Sequence, residues 1–240
     1  MEEIASKLVD WIKEQVARAK RRGVVFGLSG GLDSAVVAVL CKRAFPDNTL
    51  ALIMPCHSSE TDIEHAEAVA SKFSIPTNTI ALEGVFYSLL KVLPLSDYKP
   101  ANNKLAEANL KPRLRMLALY YSATQLHYLV VGTGNRSEIS IGYFTKYGDG
   151  AADILPLGNL VKNQVQELAV YLDIPKEIIQ KPPSAGLWVG QTDEAEMGIT
   201  YDELDRYLVT GHAAEEVKRK IDARITGSSH KRVLPAIPPS

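Results

Sequence analysis

The residues with the clearest chemical potential form the stretch GLSGGLDS at positions 27–34, between two apolar runs. Its glycines permit a tight turn and a close approach of the backbone to an anion, and successive N–H groups in such a turn form an anion-binding nest. The hydroxyls of Ser29 and Ser34 add two further donors. A helix that follows the turn would direct its positive N-terminal end at the same anion. The stretch therefore predicts a phosphate-binding loop.

Asp33 is the unusual member of this loop, because a carboxylate repels phosphate unless a cation lies between them. Mg²⁺ binds one or two carboxylates together with phosphate oxygens, so the pattern predicts bound magnesium. The alternative is a glycine-rich turn, capped by serine and aspartate, that binds no ligand. The loop matches neither GxxxxGK[ST] nor GxGxxG, because no lysine follows its glycines and their spacing differs.

Two later stretches also combine polar and charged residues. GTGNRSE at 132–138 follows an apolar run, and in it Glu138 could give magnesium a second carboxylate and Thr133 could give a nucleotide a hydroxyl. The same letters also fit the capped start of a helix. GYFTKYGDGAAD at 142–153 holds two carboxylates and a lysine, for which a solvated turn is the simpler interpretation.

The elements that must position these stretches alternate between strand and helix. Apolar patterns predict helices at 2–21, 34–45 and 60–73, and strands at 24–28, 50–54, 77–82 and 128–132. Ser59 and Asp62 form a capping pair for the third helix. The alternation predicts an α/β fold with an open, mainly parallel twisted sheet and helices on both faces. Ligands of such sheets bind beyond the carboxyl ends of the strands, so the loops at 27–34 and 132–138 should face one cleft.

The last third of the chain is predicted to be less sheet-like. Helices are expected at 162–172, 201–208 and 213–225. Earlier in the chain, a further helix is expected to start near Pro112 and to run through Met116 and Tyr120. Residues 181–198 read as a long loop of the kind that often forms a lid, with Trp188 as a packing residue.

Composition limits the classes of function. The 27 Lys and Arg nearly cancel the 28 Asp and Glu, which argues against a general nucleic-acid or membrane surface. Cys41 and Cys56 lack any metal-binding spacing and are predicted to be free thiols. The sequence shows no signal peptide and no apolar run of about 20 residues. We expect a soluble, cytoplasmic protein with one domain over residues 1–240.

The pattern SGGxDS resembles the signature of the PP-loop ATP pyrophosphatases, which cleave ATP between the α and β phosphates. The ordered series GTGNRSE, GYFTKYGDGAAD, LPLGNLVK, KPPSAGLWVGQTDEAEMG and HKR resembles the ammonia-dependent NAD synthetases, from about residue 24 to residue 234. The resemblance implies a Rossmann-like, adenine nucleotide alpha hydrolase-like fold. It also implies a homodimer with substrate sites at the subunit interface, and a C–N ligase that turns deamido-NAD, ATP and ammonia into NAD, AMP and diphosphate through an adenylated intermediate.

The resemblance assigns roles to individual positions. The residues it places at ATP are Gly27, Leu28, Ser29, Gly30, Gly31, Leu32, Asp33, Ser34, Thr133, Lys162 and Ser184. Those it places at deamido-NAD are Arg113, Lys146, Asp153, His230 and Lys231. Asp33 and Glu138 would bind Mg²⁺.

Further roles concern the reacting centre. Asp33, Asp149 and Lys162 are the catalytic candidates, with Asp149 orienting or deprotonating ammonia. Lys146 and Lys162 would lie between the nicotinate and the α-phosphate. Without the resemblance, Lys162 would read as a surface lysine, Arg113 as part of a solvated helical face, and residues 230–232 as a frayed basic tail.

Glutamine-dependent relatives carry an N-terminal amidase domain, whereas only 23 residues precede the first predicted strand here. We therefore expect free ammonia as the nitrogen source, unless a separate glutaminase subunit docks. Two alternatives stay open. One is another PP-loop amidotransferase or thiolase that acts on a purine nucleotide or on tRNA, although the near-neutral charge counts against tRNA. The other is a nucleotide-binding module without catalysis, against which the paired carboxylates count.

Overall fold

A four-stranded parallel sheet forms the centre of the molecule, in a computed structural model that describes residues 1–93, 100–184, 186 and 190–238. The strands are β1 (Gly23–Gly27), β2 (Thr49–Ile53), β3 (Thr77–Thr79) and β4 (Tyr128–Val130). Their order is β3-β2-β1-β4, and β1 pairs in parallel with both neighbours, with Phe26 opposite Ala51 and Val24 opposite Leu129. The prediction of an open parallel sheet is confirmed.

Helices connect and cover these strands. In chain order they are α1 (Glu2–Arg18), α2 (Leu32–Ala44), α3 (Glu60–Lys72), α4 (Glu83–Val92), α5 (Pro100–Leu126), α6 (Arg136–Ile141), α7 (Lys162–Tyr171), α8 (Lys176–Ile179), α9 (Asp193–Met197), α10 (Tyr201–Thr210) and α11 (Glu215–Gly227), followed by a 3₁₀ turn at Ser229–Lys231. None of the helices in the described part of the chain combines the length and apolarity needed to span a bilayer.

Helix α2 lies at the core because its sequence is apolar on every side, which is the pattern of a fully buried helix. Residues 34–41 of this helix are all buried. Apolar residues of α1 and α7, such as Ile12 and Leu168, belong to the same cluster as α2 and β1. On the opposite face of the sheet, Phe86 of α4 and Leu114 of α5 pack against Val25 and Val130. Helices therefore cover both faces, as predicted.

A third apolar cluster joins the helices of the last third of the chain. Ile141 of α6, Met197 at the end of α9, Leu204 of α10 and Ile221 of α11 are buried together. Because α6 follows β4 directly in the chain, this cluster fixes α10 and α11 against the carboxyl-terminal edge of the sheet.

The structure corrects several predicted elements. Helix α5 begins twelve residues before Pro112 rather than at it, since buried Ala108 and Leu114 continue the apolar face across the proline. Helices α4 and α8 were not predicted, and β3 ends at Thr79. The predicted loop at 181–198 contains α9, while residues 185 and 187–189, including Trp188, lie outside the described residues.

Candidate functional site

The predicted phosphate loop connects β1 to α2 at the carboxyl end of the sheet. The Ser29 and Ser34 hydroxyls lie 3.1 Å apart, and Ser34 Oγ donates to the carbonyl of Gly31 at 2.9 Å. Gly31, at the N-cap of α2, brings no side chain to the helix end. The first N–H groups of an α-helix have no partner within the helix, so they are available to a ligand at this position.

Gly30 is required by the backbone of this loop. Its φ of +77° lies in the left-handed region, and a Cβ atom there would clash with the carbonyl oxygen of Asp62 in α3. The loop is thus held between the sheet and the first turn of α3, whose N-cap Ser59 accepts a hydrogen bond from Asp62 N at 3.1 Å as predicted.

Asp33 and Glu138 come together through Asn135. Asn135 Nδ2 donates to Asp33 Oδ1 at 2.9 Å, and Asn135 N donates to Glu138 Oε2 at 3.2 Å. The other Asp33 oxygen accepts a hydrogen bond from Lys162 Nζ, in an ion pair that is almost wholly buried. The loops after β1 and β4 and the start of α7 therefore converge on one point, as the rule for ligand positions in open sheets predicts.

One of the two interpretations of the stretch 132–138, the capped start of a helix, is confirmed. Asn135 and Glu138 form a capping box at the start of α6, which is the purely structural interpretation. The same geometry places the Glu138 carboxyl beside Asp33, since one asparagine bonds to both residues. The capped helix start therefore also brings two carboxylates together.

The charges at this point perturb one another. Burial and the neighbouring charge of Asp33 raise the pKa of Glu138 to about 8. Burial acts to lower the pKa of Lys162, but the carboxylates of Asp33 and Glu138 outweigh it and raise that pKa above its ordinary value. Lys162 is 7% exposed. The interpretation of Lys162 as a surface lysine is therefore wrong.

The pair Asp33 and Glu138 fits a divalent cation that shares its coordination with phosphate. No group of three or more His, Cys, Asp and Glu side chains suited to a metal occurs among the described residues. Mg²⁺ needs fewer, since one or two carboxylates suffice when phosphate oxygens and water complete the octahedron. The repulsion that raises the pKa of Glu138 is also what a bound cation would relieve.

A cleft of about 770 Å³ opens above this point, a size typical of sites for small ligands. Most of the predicted ATP and catalytic residues line its wall: Gly27, Leu28, Ser29, Gly31, Leu32, Asp33, Ser34, Thr133, Glu138, Asp149, Lys162 and Ser184. Gly30 is buried and is not among the residues that line the cleft. Asp149 accepts a hydrogen bond from Thr145 N at 2.9 Å, and Ser184 Oγ accepts one from Gly186 N at 3.1 Å.

The residues that the resemblance assigns to deamido-NAD are mostly not on this wall. Only Lys231 lines the cleft, and its Nζ donates to the carbonyls of Gly142 and Phe144 at 2.8 Å each. Arg113, Lys146 and His230 instead form a chain of contacts outside it. Arg113 Nη2 donates to the Lys146 carbonyl at 3.4 Å, and Lys146 Nζ donates to the His230 carbonyl at 2.6 Å.

These contacts correct the interpretation of residues 230–232 as a frayed tail. Arg232 Nη2 donates to the Ile225 carbonyl at 2.5 Å, and Lys231 is bound to segment 142–144. Asp153 lies apart from the rest, where its Oδ2 accepts a hydrogen bond from Val130 N at 2.8 Å and its Oδ1 one from Tyr120 Oη at 3.4 Å.

The cleft also contains polar residues for which no role in the site was predicted. Lys181 forms an ion pair with Asp62, and Arg115 Nε donates to the Met54 carbonyl at 3.0 Å. Tyr143 Oη and Tyr201 Oη both donate to buried Asp193, at 3.1 and 3.0 Å. Asp62 lies on α3, Arg115 on α5, Asp193 on α9 and Tyr201 on α10, far apart in the chain. Lys181, Asp193 and Tyr143 fall within motifs of the series quoted above.

Comparison with known proteins places this geometry in a family. The family model "NAD synthase" matches residues 4–235. An NH(3)-dependent NAD(+) synthetase of Carboxydothermus hydrogenoformans is 49% identical over 99% of this chain and 97% of its own length. Among solved structures, NMN synthetase from Francisella tularensis has a TM-score of 0.93 and 42% identity, covering 99% of this chain and 98% of its own. An NH3-dependent NAD synthetase from Campylobacter jejuni has a TM-score of 0.81 and 30% identity, covering 99% and 98%.

Proposed function

This chain belongs to the NAD synthase family, and from that premise we propose that its cleft joins ammonia to the nicotinate carboxylate of deamido-NAD at the expense of ATP. The observation that carries the proposal is the convergence of Asp33, Glu138 and Lys162 on the loop at the N-terminus of α2. This arrangement provides one lysine cation, two carboxylates that could hold Mg²⁺, and backbone donors where a triphosphate would lie. The chain is accordingly a ligase that forms a C–N bond.

The chemistry requires activation because a carboxylate would have to expel oxide when ammonia attacks it. One carboxylate oxygen therefore attacks the α-phosphorus of ATP and diphosphate leaves. Ammonia then adds to the carbonyl carbon, AMP departs with the carboxylate oxygen, and a proton is lost from nitrogen. No covalent bond to the protein is needed, so the contribution of the protein is positioning and preorganised charge.

The loop and Lys162 are assigned to the phosphates. Ser29, Ser34 and the free N–H groups of α2 donate to the departing diphosphate. Asp33 and Glu138 would hold Mg²⁺, which when bound neutralises phosphate charge. Lys162, buried beside both carboxylates, gives the site a fixed positive charge where an anionic nicotinate must approach an anionic phosphate. Thr133 and Ser184 add hydroxyls to the nucleotide site.

Asp149 is assigned to ammonia. It lines the cleft, and the hydrogen bond from Thr145 N fixes one of its oxygens. A carboxylate so placed can orient ammonia and accept the proton that is lost on amide formation. Described residues of the predicted lid, such as Pro182, Ser184 and Gln191, line the same cleft. Closure of 182–198 over the adenylate would exclude the water that otherwise hydrolyses it.

The dinucleotide substrate is assigned to a site completed by a second copy of the chain. Arg113, Lys146 and His230 are joined by contacts, yet they are not among the described residues that line the cleft. On the same helix as Arg113, the side chains of Leu117 and Tyr121 are 59% and 69% exposed. A homodimer through α5 would cover these apolar residues. It would also make Arg113, Lys146 and His230, which we call the basic rim, part of the wall of a substrate site.

We further propose that the chain is a single domain, that it uses free ammonia, and that it works in the cytoplasm. One family model spans residues 4–235, and the formal net charge of −1 gives no general attraction to nucleic acid or to membrane surfaces. A separate glutaminase that delivers ammonia is compatible with this assignment.

A second candidate substrate is the corresponding mononucleotide. The observation that favours it is the similarity, at a TM-score of 0.93, to a protein named NMN synthetase. The acid from which NMN is made by amidation is nicotinate mononucleotide, whose carboxylate requires the same activation. The two acids differ by one AMP moiety, and the basic rim is the part of this structure that would bind it.

The test is an assay of the purified chain with ATP, Mg²⁺ and ammonium, together with either acid. We expect the amide, AMP and diphosphate in equal amounts, with a higher kcat/KM for the dinucleotide than for the mononucleotide. Release of ADP and phosphate, or no amide from either acid, would overturn the proposal. A higher kcat/KM for the mononucleotide would transfer the assignment to NMN formation.

The variant for this assay is Asp33→Asn, which keeps the size of the side chain and its contact with Asn135 but removes the charge. We expect magnesium-dependent diphosphate release to be abolished while the thermal unfolding profile keeps its cooperativity. The matched control is Asp173→Asn, because Asp173 is an exposed carboxylate in an ion pair with Lys72 and should leave turnover unchanged. Near-normal turnover by Asp33→Asn contradicts its role as a magnesium ligand.

A further inference from the structure

Lys162 occupies the first position of α7, where backbone N–H groups have no acceptor inside the helix. The preceding residue, Val161, offers a hydrocarbon side chain where a capping oxygen usually stands. The N–H groups are satisfied from elsewhere in the fold. Lys162 N donates to Ser137 Oγ at 3.0 Å, and Asn163 N donates to Asp205 Oδ2 at 2.8 Å.

Asp205 is linked to the other catalytic element as well. Its second oxygen, Oδ1, accepts a hydrogen bond from Ser137 Oγ at 2.5 Å. Ser137 lies in α6 directly before Glu138, whose own N–H is fixed by Asn135 Oδ1 at 3.0 Å. One carboxylate on α10 therefore holds the first turn of α7, which carries Lys162, and the first turn of α6, which carries Glu138.

This carboxylate is buried without a cation. Asp205 is 3% exposed, and it takes part in none of the ion pairs found among the described residues. Burial of a charged group is costly unless hydrogen bonds and local dipoles compensate it. Here the compensation is the positive end of α7 together with the Ser137 hydroxyl, so the charge of Asp205 is directed at the two elements that bear the site.

Helix α10, which carries Asp205, is packed in the third apolar cluster. Leu204, next to Asp205, is fully buried in the apolar cluster that α6, α10 and α11 share. The ring of Tyr201, one turn earlier, lies 5.4 Å from Lys162 Nζ. The side chain of Lys162 and the backbone of the next residue, Asn163, are thus both placed against α10, while the ammonium itself reaches Asp33.

We propose that Asp205 is a positioning residue for the reaction: through Ser137 and the first turn of α7 it sets Lys162 and Glu138 at the phosphate loop. This inference rests on the proposed function, because Lys162 and Glu138 are taken as the groups that act on ATP. Asp205 is not among the described residues that line the cleft. Its removal should therefore lower turnover more than substrate affinity, since the loop that binds the phosphates stays intact.

The first variant is Asp205→Asn, which keeps shape but leaves one of the two donors without a full acceptor. We expect kcat to fall by about 10- to 100-fold, the loss that a displacement of about 1 Å at a catalytic group can cause. KM for ATP should stay close to its wild-type value. The matched control is Tyr207→Phe, which removes a 2.7 Å hydrogen bond to Asp222 from the same helix without reaching Ser137.

Two further measurements separate positioning from loss of stability. Ser137→Ala keeps Asp205 and removes its link to α6, so it should also lower kcat, and the double variant should lose less than the product of the two single losses. If Asp205→Asn does not fold, Ser137→Ala is the variant that tests the inference. The inference is overturned if both Asp205→Asn and Ser137→Ala turn over at the wild-type rate. It is equally overturned if Tyr207→Phe loses as much kcat as they do, or if the losses multiply independently.

The proposed function fails by a different result. If wild-type protein forms no amide from either acid, the assignment of the reaction is wrong whatever Asp205 does. The contact itself is then judged by thermal unfolding, where coupling between the Asp205 and Ser137 substitutions is expected and additivity contradicts it.

Discussion

Glu138 shows how one residue can be both a structural cap and a chemical group. Its carboxylate accepts a hydrogen bond from Asn135 N at 3.2 Å and closes the capping box of α6. The same carboxylate lies close enough to Asp33 that the two charges disfavour each other, which together with burial raises its pKa to about 8. In the absence of a divalent cation, a proton on Glu138 therefore relieves the repulsion near neutral pH.

This residue makes a prediction about stability and pH. A group with a raised pKa in the folded state contributes stability that is fully present below its ordinary pKa, here 4.5, and is lost as pH rises through about 8. In EDTA, Glu138→Gln removes this dependence. We therefore expect that the unfolding temperature of Glu138→Gln, measured relative to that of wild type, increases as pH rises from about 4.5 to 8.

Thermal unfolding at several pH values measures this difference. The matched control is Glu203→Gln, because Glu203 has the same capping-box position in α10 but a pKa that its hydrogen bonds to Thr200 lower. A difference between wild type and Glu138→Gln that stays constant across this range would contradict the raised pKa.

The residues of the site that could be predicted from the sequence are those that lie within a local motif. The glycine turn and its following helix bring Asp33 to the cleft by local geometry alone. The burial of Lys162 was not predictable from its neighbours, because it results from packing against Tyr201, about forty residues later in the chain. No role in the site was predicted for Tyr143 or Tyr201, because their shared contact with Asp193 forms only when α9 and α10 fold beside the segment after α6.

At the scale of elements, the sequence was most informative where burial is complete on all sides. Strands β1 and β2 and helix α2 lie within two residues of their predicted bounds, because continuous apolar runs between turn signals define them. Strand β3, Thr77–Thr79, is exposed throughout, so no apolar pattern marks its end. Helix α5 was predicted to start at Pro112, since local rules place proline at a first turn, but tertiary packing carries the helix through.

The turn between β1 and α2 makes a prediction at this scale. Gly30→Ala forces a side chain into the left-handed region and against the Asp62 carbonyl, so the loop must move. We expect binding of Mg²⁺–ATP to be lost and stability to fall by about 1–2 kcal/mol or more. Isothermal titration with ATP and denaturant unfolding measure the two effects.

Gly84→Ala is the matched control, because a Cβ atom at this position in the first turn of α4 would meet no atom within 4 Å. A methyl group in a helix favours the helical state, so this variant should be as stable as wild type or more stable, with ATP binding unchanged. If Gly30→Ala binds ATP as well as Gly84→Ala does, the loop is not the phosphate site.

At the scale of the whole molecule, the fold assembles surfaces that no single motif defines. Arg113 of α5, Lys146 of the segment after α6, and His230 of the final 3₁₀ turn meet although 117 residues separate the first from the last (230 − 113). Motif resemblance named these residues but could not show that they lie outside the cleft wall. Their position, beside the exposed apolar residues of α5, is a property of the folded chain.

The arrangement predicts a dimer whose loss impairs the dinucleotide site. Leu117 and Tyr121 lie four residues apart on one face of α5, so a charge at Leu117 would be buried without a partner when two copies associate. Leu117→Asp should therefore be monomeric at concentrations where wild type sediments as a dimer, with a folded far-UV spectrum.

Val170→Asp, which places the same charge at a valine 63% exposed on α7, is the matched control and should stay dimeric. Because Arg113 lies one turn away, the monomer should lose kcat/KM for the dinucleotide. ATP binding, which is proposed for the cleft within one chain, should be retained. Sedimentation velocity combined with the amidation assay decides the matter: a Leu117→Asp protein that remains dimeric places the interface elsewhere, and a fully active monomer shows that one chain completes the site.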